Sequence, residues 1–233
     1  MGRIISVLSG KGGIGKTVSA INIACALNSL GKHTLLVDGN VSAPTIHIHL
    51  GAKDIELSLK DALNGNIHFS NLIHTHASGL QVIPAKTSAS DLKNLDFNKL
   101  KEVISDMKNF SDFVIVDTCA GINDESLACL EASDEALIIT NLEEATIDAT
   151  RKIIETSLEL KKDMRGLVVN KSGIWCHELN EREAMNVLEQ PVIANIPFDR
   201  KVHKSNLLNH PVVYSHPHSK VSKEFFNLAS KLL

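Results

Sequence analysis

A glycine-rich loop between a predicted strand and a predicted helix constrains this chain more than any other feature. An apolar run at residues 4–8 precedes the loop at residues 9–17, and a helical pattern begins near Val18. In this order the backbone N–H groups of the loop turn inward around a polyphosphate, and the helix N-terminus adds partial positive charge. The spacing GxxxxGKT places Lys16 at the terminal phosphates and the Thr17 hydroxyl at a Mg²⁺ ion. The loop therefore predicts a nucleotide site in an α/β fold.

A second lysine, Lys11, stands inside this loop. The sequence KGGIGKT at residues 11–17 resembles the deviant Walker A motif of the MinD/ParA family of ATPases, which also includes nitrogenase iron protein and the Mrp-type iron–sulfur carriers. In that family the extra lysine crosses to the nucleotide of a partner subunit. The resemblance therefore implies ATP or ADP with Mg²⁺ as cofactors and a homodimer that forms with ATP.

The composition indicates one domain and a cytoplasmic location. The 233 residues are 43% hydrophobic and 22% charged, which fits a single P-loop domain over residues 1–233. A net charge of −3 argues against non-specific binding to nucleic acid or to an anionic membrane. The four cysteines include no C-x-x-C pair, and the first residues run into the strand without a leader-like apolar region. We therefore expect a cytoplasmic protein that becomes peripheral to a membrane only through a partner.

A second predicted strand, at residues 34–37, ends in Asp38, at the sheet edge where doubly wound folds bind ligands. MinD-like proteins usually carry Asp-x-Asp here, in the segment called switch I. By resemblance Asp38 touches the Mg²⁺ shell, and the residue at position 40 orients the attacking water. This chain has Asn40, whose amide can hold a water but cannot take up its proton. Since phosphoryl transfer depends mostly on positioning and electrostatics, we expect slow, partner-dependent hydrolysis and a long-lived ATP state.

A third predicted strand, at residues 113–116, leads into the sequence DTCAG at residues 117–121. This sequence resembles the Asp-x-x-Ala-Gly switch II of the MinD family, in which Asp117 would hold a water of the Mg²⁺ ion and Gly121 would sense the γ-phosphate. Cys119 stands where that family often has proline. A small packing residue is favoured over a reactive thiol, because nothing in the sequence indicates a lowered pKa.

The resemblance continues into the second half of the chain. Asn170 closes a short predicted strand at residues 166–169 and resembles the asparagine that reads the adenine edge, with a turn asparagine as the alternative. Residues 192–199 resemble the family's last strand and the turn that packs over adenine. Glu143 fits a ribose or cross-dimer contact and a solvated glutamate equally well. The resemblance thus assigns Lys11, Lys16, Asp38 and Asn40 to catalysis, Thr17, Asp38 and Asp117 to the metal, and Gly12, Gly13, Ile14, Gly15, Lys16, Thr17, Val18, Gly121, Asn170, Pro197 and Asp199 to the nucleotide.

Other features favour structural explanations. No carboxylate or cysteine cluster accompanies the three His-x-His pairs, so polar surface positions are favoured over a metal site at His47/His49, His74/His76 and His216/His218. An exposed loop with one buried aromatic is the favoured reading of residues 175–177, with a partner contact as the alternative. The apolar stripe near the C-terminus has few lysines beside it. Packing onto the sheet is therefore favoured over membrane insertion.

We expect one doubly wound α/β domain of the P-loop NTPase type, with a mostly parallel sheet of about seven or eight strands and helices on both faces. The expected function is that of a MinD-like ATPase, a dimerisation switch that positions or recruits an unknown protein partner. Three alternatives remain open: a nucleotide-binding scaffold with little turnover, an Mrp-like carrier, and a small-molecule kinase or synthetase. An Mrp-like carrier would need a paired-cysteine motif near the C-terminus, which this sequence does not have.

Overall fold

The computed structural model describes residues 2–52, 54–65, 67–86, 95–173 and 181–233. Within these ranges eight strands form one sheet. Their bounds are β1 Arg3–Leu8, β2 Thr34–Asp38, β3 His74–Thr75, β4 Gln81–Ile83, β5 Phe113–Asp117, β6 Glu135–Thr140, β7 Asp163–Ser172 and β8 Val192–Pro197.

The strands are arranged in the order β3-β4-β2-β5-β1-β6-β7-β8, and all neighbours are parallel except β3 and β4. The prediction of a mostly parallel sheet is confirmed. The central strand β1 carries the glycine-rich loop at its carboxyl end. Asp38 and Asp117 are register partners on β2 and β5, so the two predicted metal-binding carboxylates lie at the same edge of the sheet.

Helices cover both faces of the sheet. In the described residues they are α1 Lys16–Ser29, α2 Ile46–His49, α3 Leu59–Leu63, α4 Phe97–Asp106, α5 Asp124–Ala132, α6 Glu144–Glu159, α7 Glu181–Leu188, α8 Arg200–Leu207, α9 Val212–Ser215 and α10 Lys220–Leu232. Alternate residues of β5 point to opposite faces, as the period of a strand requires. Ile115 packs with α1, α9 and α10, whereas Val114 and Val116 pack with α3, α4 and α5.

Helix α10 packs its apolar stripe into the core. Phe225, Leu228 and Leu232 are buried in the same cluster as α1 and the inner strands. The expectation that this stripe packs onto the sheet is therefore confirmed. None of the helices in the described part of the chain is long and apolar enough to cross a membrane.

The structure corrects one local expectation. Asn170 does not close its strand, because β7 continues to Ser172, which pairs with Pro197 and accepts a hydrogen bond from the backbone N–H of Phe198 at 3.1 Å. Strand β8 thus pairs with β7 beyond the apolar residues 166–169 that predicted the strand. His47 and His49 lie in the short helix α2, in which residues two positions apart do not share a face. The sequence around Trp175 lies outside the described residues.

Candidate nucleotide-binding site

The glycine-rich loop adopts a backbone that only glycine takes readily at two positions. Gly13 and Gly15 have φ angles of 80° and 92°, in the left-handed region. A Cβ on Gly15 would also lie 2.5 Å from the side-chain nitrogen of Asn170. Helix α1 begins at Lys16, and Gly15 has no side chain that could cap it. The first N–H groups of α1 are therefore left for an anionic ligand.

Lys16 and Thr17 both contact Asp117. The Lys16 Nζ donates to Oδ1 of Asp117 at 2.6 Å, and the Thr17 hydroxyl donates to Oδ2 at 2.6 Å. Lys16 also donates to the backbone oxygen of Thr118. The ion pair is buried, with side chains 8% and 0% exposed. The structure thus brings together the loop lysine, the loop hydroxyl and the switch II carboxylate that the sequence assigned to phosphate and metal.

Asp38 is a fully buried carboxylate with one unsatisfied oxygen. Its Oδ2 accepts hydrogen bonds from the backbone N–H groups of Thr45 and Ile46 at 3.1 and 3.0 Å. Among the described residues its Oδ1 has no hydrogen-bond partner. Burial raises the pKa of Asp38 well above its ordinary value, and the nearby charge of Asp117 raises the pKa further.

The oxygens of this corner fit a magnesium ion. Hydroxyl and carboxylate oxygens are the ligands that Mg²⁺ prefers, directly or through its waters. Thr17, Asp38 and Asp117 supply them, and the orphaned oxygen of Asp38 is satisfied if it binds a water of the metal. The three predicted metal residues therefore form a chemically suitable set.

We expect Asp38→Asn to stabilise the protein when nucleotide and metal are removed. The raised pKa of Asp38 means that the folded state loses stability as pH rises through the folded pKa, and the neutral amide removes that loss. At pH 8 the free energy of unfolding should rise by about 1–2 kcal/mol, which corresponds to about 2–8 °C in Tm. The gain should shrink as the pH is lowered. Thermal unfolding in EDTA at several pH values measures it, and a variant that melts below the parent at pH 8 would contradict this account of Asp38.

Asn40 lies in the loop after β2 and lines the cavity of the site. Its side-chain N–H donates to the backbone oxygen of Ala43 at 2.7 Å. The amide is thus held by its own loop in this structure.

The switch II segment follows β5. The backbone N–H of Gly121 donates to the backbone oxygen of Ser9 at 2.8 Å, which ties this segment to the start of the glycine-rich loop. Cys119 is buried, and its thiol donates to Oδ1 of Asn123 at 3.0 Å. Burial raises the pKa of the Cys119 thiol, with Glu125 adding to the effect. These contacts agree with the predicted packing residue.

Two consecutive residues of β7 hold the glycine-rich loop from the other side. The Asn170 side-chain N–H donates to the backbone oxygen of Ile14 at 2.7 Å, and Lys171 Nζ donates to that of Gly13 at 2.6 Å. One side-chain N–H of Asn170 is used in this way, and its Oδ1 and second N–H are the groups that could face a base. Asp199 caps α8, because its Oδ1 accepts from the backbone N–H of Lys201 at 2.8 Å.

These elements surround one cavity of about 690 Å³. Of the residues that the sequence assigned to nucleotide or catalysis, Ile14, Asp38 and Gly121 do not line it. Those that do are Lys11, Gly12, Gly13, Gly15, Lys16, Thr17, Val18, Asn40, Asn170, Pro197 and Asp199. Phe198, in the turn that by resemblance packs over adenine, also lines the cavity and is 55% exposed. Sequence reasoning missed the lining residues of α2 and α8, which are His49, Val202, His203 and Asn206. No motif in the sequence marks the latter four.

Lys11 faces its own chain. Its Nζ lies 3.5 Å from Oε2 of Glu143, and the two side chains are 49% and 41% exposed. Exposed ion pairs of this kind contribute little to stability, so the lysine is held weakly at the mouth of the site. Elsewhere in the described ranges, no group of three or more His, Cys, Asp or Glu side chains could hold a metal.

A strand, glycine-rich loop and helix with two carboxylates at adjacent strand ends define a P-loop nucleotide-binding protein. A family model described as "ParA: NUBPL iron-transfer P-loop NTPase" matches residues 1–233. The chain belongs to this ParA family of P-loop NTPases. The predicted resemblance to the MinD/ParA family is therefore confirmed.

The chain is similar to an uncharacterized relative and to two MinD structures. An uncharacterized ATP-binding protein of Methanocaldococcus jannaschii is 30% identical over 233 residues, which cover 100% of this chain and 88% of the relative. The structure of MinD with Mg-ADP from Pyrococcus horikoshii has a TM-score of 0.95 and 29% identity, and the match covers 100% of this chain and 96% of that one. The cell division ATPase MinD of Pyrococcus furiosus also has a TM-score of 0.95, with 32% identity and coverage of 100% and 98%.

Proposed function

We propose that this protein is a MinD-like ATPase that binds Mg·ATP, dimerises in the ATP state and recruits a partner protein in that state. The observation that carries the proposal is the buried contact of Lys16 and Thr17 with Asp117, beside the unsatisfied oxygen of Asp38. The MinD of Pyrococcus horikoshii, which has the same fold, was solved with Mg-ADP. We also propose that the protein is cytoplasmic and that its partner is a protein whose identity and cellular process are unknown. We do not expect it to bind nucleic acid.

The residues of the site have different roles toward the phosphates and the metal ion. On nucleotide binding the Lys16 ammonium group moves from Asp117 to the phosphates, with which it forms charge-assisted hydrogen bonds. Thr17, Asp38 and Asp117 hold the Mg²⁺ ion and its waters, and the ion supplies positive charge for the phosphate oxygens. Gly121 senses the γ-phosphate in this proposal, and its backbone N–H, which donates to the backbone oxygen of Ser9 in this structure, is the group that would move to do so.

Lys11 and the base side complete the proposed cycle. In the ATP state Lys11 leaves Glu143 and reaches the nucleotide of a second subunit, so the bond that it breaks is a weak, exposed one. Asn170 and Pro197 border the base. Hydrolysis removes the γ-phosphate and with it the contacts that order the switches, which reopens the dimer.

Asn40 makes hydrolysis slow in this proposal. We expect Asn40→Asp to raise the turnover number by about 10-fold or more, because a carboxylate can accept the proton of the attacking water. Phosphate release from ATP measures the effect, with Asn40→Ala as the matched variant that neither accepts a proton nor holds the water. Removal of Mg²⁺ with EDTA should stop hydrolysis in all three proteins. If Asn40→Asp turns over no faster than the parent, with or without a partner, the slow-hydrolysis account fails.

One alternative function has a specific observation in its favour. A nucleotide-dependent scaffold with negligible turnover agrees with Asn40, whose amide is held by Ala43. The hydrolysis measurement separates the two, since a scaffold would dimerise with ATP and release no phosphate. For a small-molecule kinase, addition of a small acid or amine would accelerate ADP release without dimerisation.

A further inference from the structure

A buried carboxylate fastens the loop of Asn40 to helix α5. Glu125 lies in the first turn of α5 and is 4% exposed. Its Oε1 accepts a hydrogen bond from the backbone N–H of Ser42 at 2.8 Å, and its Oε2 accepts one from the Ser42 hydroxyl. Both oxygens of one carboxylate are thus used on a single residue two positions after Asn40. Charge-assisted hydrogen bonds of this kind are roughly twice as strong as neutral ones.

The same loop packs against α5 at a second point. A Cβ on Gly39 would lie 2.8 Å from Sγ of Cys129 and 2.8 Å from Cγ1 of Val116, so the backbone lies directly on these side chains. Only glycine allows so close an approach without a shift of its neighbours. The loop is therefore held against α5 at two points. One is the close backbone contact at Gly39, and the other is the pair of hydrogen bonds between Ser42 and Glu125.

Helix α5 is also attached to switch II. Its N-cap residue Asn123 accepts hydrogen bonds from the backbone N–H of Ser126 at 2.9 Å and from the thiol of Cys119 at 3.0 Å. Cys119 lies between Asp117 and Gly121 in the segment that would contact the γ-phosphate. A shift of this segment is thus passed to the start of α5, the turn that contains Glu125.

We propose that Glu125 is a positioning residue that couples the two switches, so that the γ-phosphate sensed at Gly121 sets the position of Asn40 through Ser42. This inference rests on the proposed ATPase function. Glu125 does not contact the nucleotide in this proposal, and it affects turnover only through Asn40. Glu125 is not in the glycine-rich loop, and it does not line the nucleotide cavity.

The test compares three substitutions in the full chain. Glu125→Ala removes both hydrogen bonds, and Ser42→Ala removes only the one from the hydroxyl. Glu125→Gln keeps both, because its amide oxygen accepts from the Ser42 N–H and its amide N–H donates to the hydroxyl oxygen. The measurements are the ATP dissociation constant, kcat for phosphate release, Tm, and hydrogen–deuterium exchange of residues 40–45 with and without a non-hydrolysable ATP analogue.

Glu125→Ala should lower kcat by about 10-fold, as expected when the side chain that orients the attacking water is displaced, and leave the ATP dissociation constant within about 3-fold of the parent. Glu125→Gln should restore kcat to within about 3-fold, and Ser42→Ala should fall between the two. In the background of Asn40→Ala, Glu125→Ala should have no further effect on kcat. The analogue should slow exchange of residues 40–45 in the parent and in Glu125→Gln but not in Glu125→Ala.

Two outcomes would overturn the coupling while the proposed function stands. One is that the analogue slows exchange of residues 40–45 equally in Glu125→Ala and in the parent. The other is that Glu125→Ala lowers kcat equally in the parent and in Asn40→Ala, which is the result for a residue with only a structural role. If the parent protein binds ATP but does not hydrolyse it, the hydrogen–deuterium exchange measurement alone tests the coupling. A parent protein that binds no nucleotide would overturn the proposed function and the coupling together.

Discussion

Replacing Lys16 with alanine is expected to lower the affinity for ATP by about 100-fold or more and to destabilise the protein as well. The Nζ of Lys16 lies 2.6 Å from Oδ1 of Asp117, and both side chains are buried. Without the lysine, the phosphates lose a charge-assisted donor, and Asp38 and Asp117 remain as two buried carboxylates. Loss of one partner of a buried ion pair costs about 3 kcal/mol or more, which corresponds to a fall in Tm of about 6–12 °C.

Titration calorimetry with ATP and Mg²⁺ and a thermal melt measure the two effects of Lys16→Ala. Lys152→Ala is the matched control, because Lys152 is an exposed lysine of α6 that does not line the cavity. It should bind ATP and melt like the parent. A Lys16→Ala protein that keeps the parent's affinity would contradict the assignment of this loop to phosphate binding.

Lys11→Ala is expected to separate nucleotide binding from turnover. Its side chain is half exposed and contacts Glu143, so its removal leaves the buried contacts of the loop intact. The ATP dissociation constant should stay within about 3-fold of the parent, because the buried loop contacts remain. Phosphate release should fall by about 100-fold or more, because the transition state loses the positive charge supplied by the second subunit.

Glu143→Ala is the counterpart of this change, since it removes the contact that Lys11 makes within its own chain. We expect it to bind ATP normally and to dimerise at an equal or lower ATP concentration than the parent. If the Lys11→Ala protein hydrolyses ATP at the parental rate, Lys11 does not act on a nucleotide.

Much of the fold and part of the site could be predicted from the sequence because their signals are local. Apolar runs that end in Asp38 and Asp117 read as buried parallel strands, and the carboxyl ends of parallel strands meet at one edge. The glycine spacing of the loop fixes a backbone that few other residues can adopt. These positions need no knowledge of distant contacts, and the structure brings them together as expected.

The contacts that could not be predicted depend on tertiary placement. Nothing in the sequence shows that Glu125 meets Ser42, because the two residues lie on different elements and match no motif. The bond from Asn170 to Ile14 and the extension of β7 to Ser172 depend likewise on how β7 lies beside the loop and β8. The edge strand β3 has two exposed residues, too few to give a periodic pattern.

We propose that ATP, and not ADP, joins two copies of this chain. Multi-angle light scattering of the parent protein with Mg·ATP and with Mg·ADP tests it most directly. We expect a mass of 25.4 kDa in Mg·ADP and twice that value in Mg·ATP. A mass that stays at 25.4 kDa when the site is saturated with Mg·ATP would contradict it.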